Sequence, residues 1–245
     1  MTLDPASIAV VLASHGDRGG SEPNAALRSQ AEAVRALTGL LVWTGVLKGE
    51  PALESALAEA AASGAPRIAV YPLFMADGYF VQKVRDRIAA AGFAERAQLL
   101  TPLGLDPALP DLIVASATET AERGGFAPEA SRLLIVGHGS KLGPASASAT
   151  RKVAARAALA RRFASVATAF LEEEPFVDDA LRASHAPTVV AGFFFGDGMH
   201  GGDDVPEAIA ETGARALYTG AIGNSPAAAP LIAAALRTFA ETPIA

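Results

Sequence analysis

Short apolar runs alternate along the whole chain with longer stretches of helical periodicity. In the first half the runs are Ile8–Ser14, Leu40–Val46, Ile68–Phe74 and Gln98–Thr101; in the second they are Leu133–Gly137, Ser165–Leu171, Thr188–Phe195 and Ala216–Gly220. Runs without polar alternation suit strands covered on both faces. Between them, Asn24–Ala36, Ala52–Ala62, Phe80–Ala91, Leu109–Glu122, Ala145–Phe163, Val205–Glu211 and Pro230–Ala240 read as helices. Strands that alternate with helices pair in parallel through right-handed crossovers, which predicts an α/β fold with two four-stranded parallel sheets flanked by helices.

The pattern also repeats in detail. Val11-Leu12-Ala13-Ser14-His15-Gly16 returns as Leu134-Ile135-Val136-Gly137-His138-Gly139-Ser140, an offset of 123 residues (138 − 15) in a chain of 245. Leu47 and Pro51 answer to Leu171 and Pro175, Asp77-Gly78 to Asp197-Gly198, and Leu103-Gly104 with Pro107 to Ile222-Gly223 with Pro226. A unit above 100 residues is too long for a solenoid repeat of about 20–50, so the chain reads as two related lobes facing each other. Their expected extents are 1–124 and 125–245, with the loop Gly124-Gly125-Phe126-Ala127-Pro128 at the boundary.

Composition narrows the chemistry. The chain has no Cys, which removes disulfides and thiolate ligands and leaves His, Asp or Glu to hold any metal. A formal net charge of −6 with 6% aromatic residues speaks against nucleic acid as a partner, because neutralising phosphates takes clustered Lys and Arg. No apolar run reaches the roughly 20 residues that span a bilayer, and residues 1–7 carry no basic segment. A cytoplasmic protein with no membrane partner is the expectation.

In parallel α/β sheets, ligands bind where the carboxyl ends of strands lead into helices. His15 and His138 each fall at such an end, flanked by small residues. Glu172, Glu173 and Glu174 follow the second strand of the second half, and His200 follows its third strand after Gly196-Asp197-Gly198-Met199. Two imidazoles and a carboxylate suit a first-row divalent ion such as iron, cobalt, nickel or zinc, and no organic cofactor is expected. The first half departs from this set. Matching Leu47-Lys48 to Leu171-Glu172 puts Lys48 opposite Glu172, and matching Asp77-Gly78 to Asp197-Gly198 puts Phe80 opposite His200. A cation and an aromatic ring cannot complete a metal site, so one working site per chain is expected, in the second half.

Several features carry less. His185 precedes a strand and belongs to the opposite sheet edge, and Asp203-Asp204 reads as a helix start before Pro206. Gly137-x-Gly139-x-x-x-Gly143 misses the dinucleotide spacing by one residue. Ser14 and Gly137 stand where histidine phosphatases carry Arg before their His-Gly pair.

The repeated Ser/Gly-His-Gly strand ends, Phe170-Leu171-Glu172 with Pro175 after it, and Phe193–Phe195 leading to His200 before Asp204-Val205-Pro206-Glu207 together resemble the class II tetrapyrrole chelatases. These are the sirohydrochlorin cobaltochelatases and ferrochelatases of the CbiX/SirB type, here in a duplicated two-lobe form. The resemblance implies insertion of a divalent metal, cobalt or iron, into a tetrapyrrole such as sirohydrochlorin in cobalamin or siroheme biosynthesis. It also implies His138, His200 and Glu172 as the metal and catalytic residues, in a monomer or homodimer. For such a macrocycle, Ser140, Lys141 and Arg18 are candidate partners of the peripheral carboxylates, His15 is a further substrate contact, and Phe195 and Met199 are candidates for the wall against its flat face. The alternative is a non-catalytic carrier of metal or tetrapyrrole, which turnover with free metal and sirohydrochlorin would separate from an enzyme.

Overall fold

The computed structural model describes residues 7–16, 23–141, 143–196 and 198–242, with the backbone alone for 198–200. The first repeat runs β1 (Ile8–Ser14), α1 (Ala25–Thr38), β2 (Leu41–Val46), α2 (Leu53–Ala62), β3 (Arg67–Pro72), α3 (Tyr79–Ala90), β4 (Ala97–Leu99) and α4 (Leu109–Arg123). The second follows the same order with β5 (Arg132–Gly137), α5 (Ala145–Ala158), β6 (Ser165–Phe170), α6 (Val177–Arg182), β7 (Thr188–Gly192), α7 (Val205–Thr212), β8 (Ala216–Ala221) and α8 (Ala228–Glu241). The segment Gly198–Asp204 winds as a wide π-helical turn that runs directly into α7.

Both sheets are four-stranded and parallel, with orders β2-β1-β3-β4 and β6-β5-β7-β8. The opening strand of each repeat therefore has a neighbour on either side, which is why β1 is buried along its full length and β5 along all but its first residue. Side-chain alternation then divides the core. Ala9, Val11 and Ala13 pack with Leu53 and Leu57 of α2 and Val84 and Ile88 of α3. In the second repeat Leu134 and Val136 pack with Val177 and Leu181 of α6 and Val205 and Ala208 of α7. Because the chain leaves β1 in one direction and β3 in the other, right-handed crossovers put their following helices on opposite faces, which makes the carboxyl ends of those two strands the place where such sheets bind ligands. The same reasoning marks the ends of β5 and β7, the strands that precede His138 and His200, as the corresponding place in the second sheet.

The last helix of each repeat does not stay with the sheet that precedes it. The compact units are Met1–Asp106 with Pro226–Ala245, and Pro107–Ser225. Helix α8 packs on α1 and β3, where Arg67 donates to the carbonyls of Thr242 (2.9 Å) and Ala240 (3.1 Å) and lies 4.5 Å over the Phe239 ring. Helix α4 packs on α5, β7 and β8, and a side chain at Gly124 would stand 2.2 Å from Leu217. The expected lobes 1–124 and 125–245 thus mark the sequence repeat, and packing redistributes its terminal helices.

Smaller differences have local causes. Helix α5 stops at Ala158, short of the expected Phe163, with Leu159 73% exposed and Arg161 in a left-handed conformation at φ 51°. Helix α6, six residues long, is too short to register as a period. No helix among the described residues is long and apolar enough to cross a membrane.

Tyr71 on β3 is buried, and burial, followed by the nearby charge of Asp106, pushes its phenol well above the ordinary range. The folded state therefore resists losing that proton while the unfolded chain releases it near pH 10. This contribution to stability is intact below about pH 10 and lost as pH rises beyond it. Tyr71→Phe should flatten the alkaline fall in denaturant midpoint measured between about pH 9 and 11; an unchanged slope would show that the phenol contributes nothing to it.

Candidate metal centre

His138 sits one residue past β5, and the ladder continues around it. Leu171 N–H donates to the Gly137 carbonyl (3.3 Å), Glu172 N–H to the His138 carbonyl (2.9 Å) and Phe193 N–H to the Val136 carbonyl (2.7 Å). These bonds hold the ends of β5, β6 and β7 side by side, so His138 and Glu172 are backbone neighbours just beyond the ends of adjacent strands. The His138 ring is half-buried, and its Nδ1 bonds to the Gly139 carbonyl at 2.9 Å. A carbonyl only accepts, so that bond selects the Nδ1–H tautomer and leaves the lone pair on Nε2, the atom that a metal would take. Glu172 is exposed. His200 lies in the π-helical turn that follows β7, the strand that flanks β5, and precedes α7. Among the described residues no three His, Asp or Glu side chains converge on a metal position; the His200 side chain lies outside that description, as does that of Met199.

Glu173 is committed elsewhere. Its Oε2 accepts from the Ser140 N–H at 3.1 Å, and its Oε1 pairs with Arg151 at 3.1 Å. Sequence reasoning passed over this residue because three consecutive Glu look alike and their difference arises only from the loop they face. Ser140 therefore has its backbone amide engaged by protein, while Lys141 is exposed. Phe193 and Phe194 are core residues at 2% and 7% exposure, and Phe195 alone of the three is partly exposed. Arg18 lies outside the described residues. His185 is exposed on the loop before β7, at the opposite edge of the sheet.

The first lobe reproduces the backbone and replaces the chemistry. His15 Nδ1 bonds to the Gly16 carbonyl at 3.0 Å, Leu47 N–H donates to Ser14, and Lys48 N–H donates to His15 at 2.8 Å. Lys48 thus occupies the backbone place of Glu172. Phe80, in the first turn of α3, sets its ring against His15 with centroids 4.6 Å apart and planes at 70°. Phe80 also meets Phe74 at 6.1 Å and Tyr79 at 5.4 Å, so the imidazole ends in an aromatic cluster where the second lobe presents the turn carrying His200. Cis peptides at Glu50-Pro51 and Glu174-Pro175 mark the same loop in both repeats.

Known proteins share this plan. The CbiX family model matches residues 9–120 and 132–238, one match for each repeat. A protein of Halobacterium salinarum described as a probable sirohydrochlorin cobaltochelatase is 26% identical over 267 aligned positions, covering 91% of this chain and 89% of that one. A solved CbiX, described as the terminal enzyme for biosynthesis of siroheme in denitrifying bacteria, is 30% identical with a TM-score of 0.80, covering 94% of this chain and 98% of that one. SirB from Bacillus subtilis, solved with Fe3+, shares the fold at 17% identity and a TM-score of 0.81, with 96% of each chain covered. Matched along both of its repeats, the chain belongs to the CbiX family.

Proposed function

We propose that this chain inserts a divalent metal, cobalt or iron, into sirohydrochlorin, using His138, His200 and Glu172 in its second lobe. The family match across both repeats carries the reading, and the named activities of its relatives give the substrate class. The residues supply the chemistry. Neutral imidazole nitrogens and a carboxylate bind a first-row ion without enclosing it, so the ion sheds water and remains transferable. Insertion displaces two protons from the pyrrole nitrogens. Each imidazole that gives up the metal regains its lone pair, so the two histidines that release the ion are also able to accept the two protons. Exposed Glu172 offsets the positive charge that accumulates as they do so.

The test is an absorbance assay of the purified protein with sirohydrochlorin and a panel of divalent metals. Turnover with cobalt or iron supports the reading; metal that binds and never reaches the macrocycle overturns it in favour of a carrier. Arg18 and Lys141 are the proposed partners of substrate carboxylates. Arg18→Ala and Lys141→Ala should each weaken sirohydrochlorin binding by about 1–3 kcal/mol, as expected for a lost charged hydrogen bond, and leave Co2+ affinity unchanged. Titration followed by fluorescence quenching would measure this, and unaltered affinity in both variants would remove these residues from the substrate site.

A further inference from the structure

We infer that Glu173 and Arg151 form a bracket that positions the His138 loop for metal, a device built into the second lobe around a carboxylate that the first lobe replaces with Gly49. The inference rests on the proposed role of His138 as a ligand.

The loop passes directly over the stem of Glu173. Gly139 is left-handed at φ 72°, and a Cβ there would come within 2.8 Å of Glu173 Cγ and 3.0 Å of Phe170 Cβ. One carboxylate oxygen of Glu173 takes the Ser140 N–H and the other takes the Arg151 guanidinium, each at 3.1 Å. Arg151 is itself seated, with its guanidinium 4.8 Å above the ring of fully buried Phe170. A continuous set of contacts therefore runs from helix α5 through Arg151 and Glu173 to the residue two places beyond His138. With both oxygens engaged, Glu173 is a support rather than a ligand.

The internal repeat serves as its own control. Lys48 donates to His15 as Glu172 donates to His138, so Gly49 holds the place of Glu173 and brings no carboxylate. The Gly16 turn is instead covered by the Lys48 carbonyl, 1.9 Å from where a Cβ would stand. Among the described residues the first lobe forms the same ladder and the same His-to-glycine bond with no counterpart of the Glu173 carboxylate. Folding the lobe does not require Glu173; the bracket accompanies the metal-binding residues. Groups that orient a ligand from behind commonly change metal affinity about 10–100-fold.

The test titrates the metal-free full chain with Co2+, following the visible bands of the bound ion, in wild type, Glu173→Ala, Glu173→Gln, Arg151→Lys and His138→Ala. Glu173→Ala should weaken Co2+ binding about tenfold and alter the bands, with thermal unfolding near that of wild type. Glu173→Gln, which keeps an acceptor for the Ser140 amide, and Arg151→Lys, which keeps the charge but not the flat stack, should fall between; both report on the bracket even should the alanine variant fold poorly. In the insertion assay kcat should fall more than the KM for sirohydrochlorin changes. Wild-type affinity and bands in Glu173→Ala alongside a defective His138→Ala would sink the bracket alone. Loss in Glu173→Ala as complete as in His138→Ala would make Glu173 a ligand and overturn its positioning role. Unchanged Co2+ affinity in His138→Ala would remove the metal reading and the bracket together.

Discussion

Replacing His138 or His200 with Ala is expected to lower metal insertion by roughly 100-fold or more, whereas His15→Ala should retain a substantial fraction of the rate. All three histidines sit in related places of the repeat or beside them, so conservative chemistry alone does not separate them. The separation comes from their surroundings. His138 has Glu172 as its backbone neighbour across the ladder, and the strand beside it leads to His200. His15 has Lys48 at the place of Glu172 and the Phe80 ring 4.6 Å away, a cation and an apolar edge that disfavour a divalent ion. Insertion rates under saturating cobalt or iron, measured side by side, check this. Equal losses in the three variants would show that both lobes contribute ligands and would end the single-site reading.

Phe170→Ala is the variant expected to cost most in stability. Phe170 closes β6, stands in register with Gly137, is fully buried, and carries Arg151 on its ring. Removing the ring leaves a cavity beneath the His138 loop and costs about 3–5 kcal/mol, the usual range for a buried aromatic cut to alanine. The exchange also releases Arg151, so Co2+ affinity should fall with stability. Urea unfolding followed by a probe in Pro107–Ser225 measures the first effect and Co2+ titration the second. A loss below about 1 kcal/mol would mean that the site collapses around the gap and that the ring is not what holds the strand end in place.

Much of this molecule is legible in the order of its residues. Continuous apolar runs specify strands buried on two faces, and Ile8–Ser14 appears as β1 with the bounds read from the sequence. The repeat of the strand-end His-Gly pairs, with Leu47 against Leu171 and Pro51 against Pro175, predicts the correspondence of Lys48 with Glu172 that the two backbone hydrogen bonds then display. Family membership follows from the same landmarks. These features are local, or repeat at a fixed offset, so they survive being read along a line.

Other features depend on which surfaces meet. Nothing in Leu109–Arg123 or Ala228–Glu241 says which sheet it will cover, because an apolar helical stripe fits either; packing sends α4 to the second unit and α8 to the first. Phe80 reads as a mismatch to His200, and only the fold turns it into a ring held against His15. Three adjacent glutamates are equivalent as letters, yet the left-handed turn at Gly139 brings the Ser140 amide to Glu173, and α5 brings Arg151 to its other oxygen. The sequence by itself determined the strands, the duplication, the family and the residue types at each strand end, since apolar periodicity and motif order act over a few residues. The tertiary structure alone decided the helix exchange and the pairing of Glu173 with the Ser140 amide and Arg151, since both depend on contacts between segments that become neighbours only when the sheets assemble.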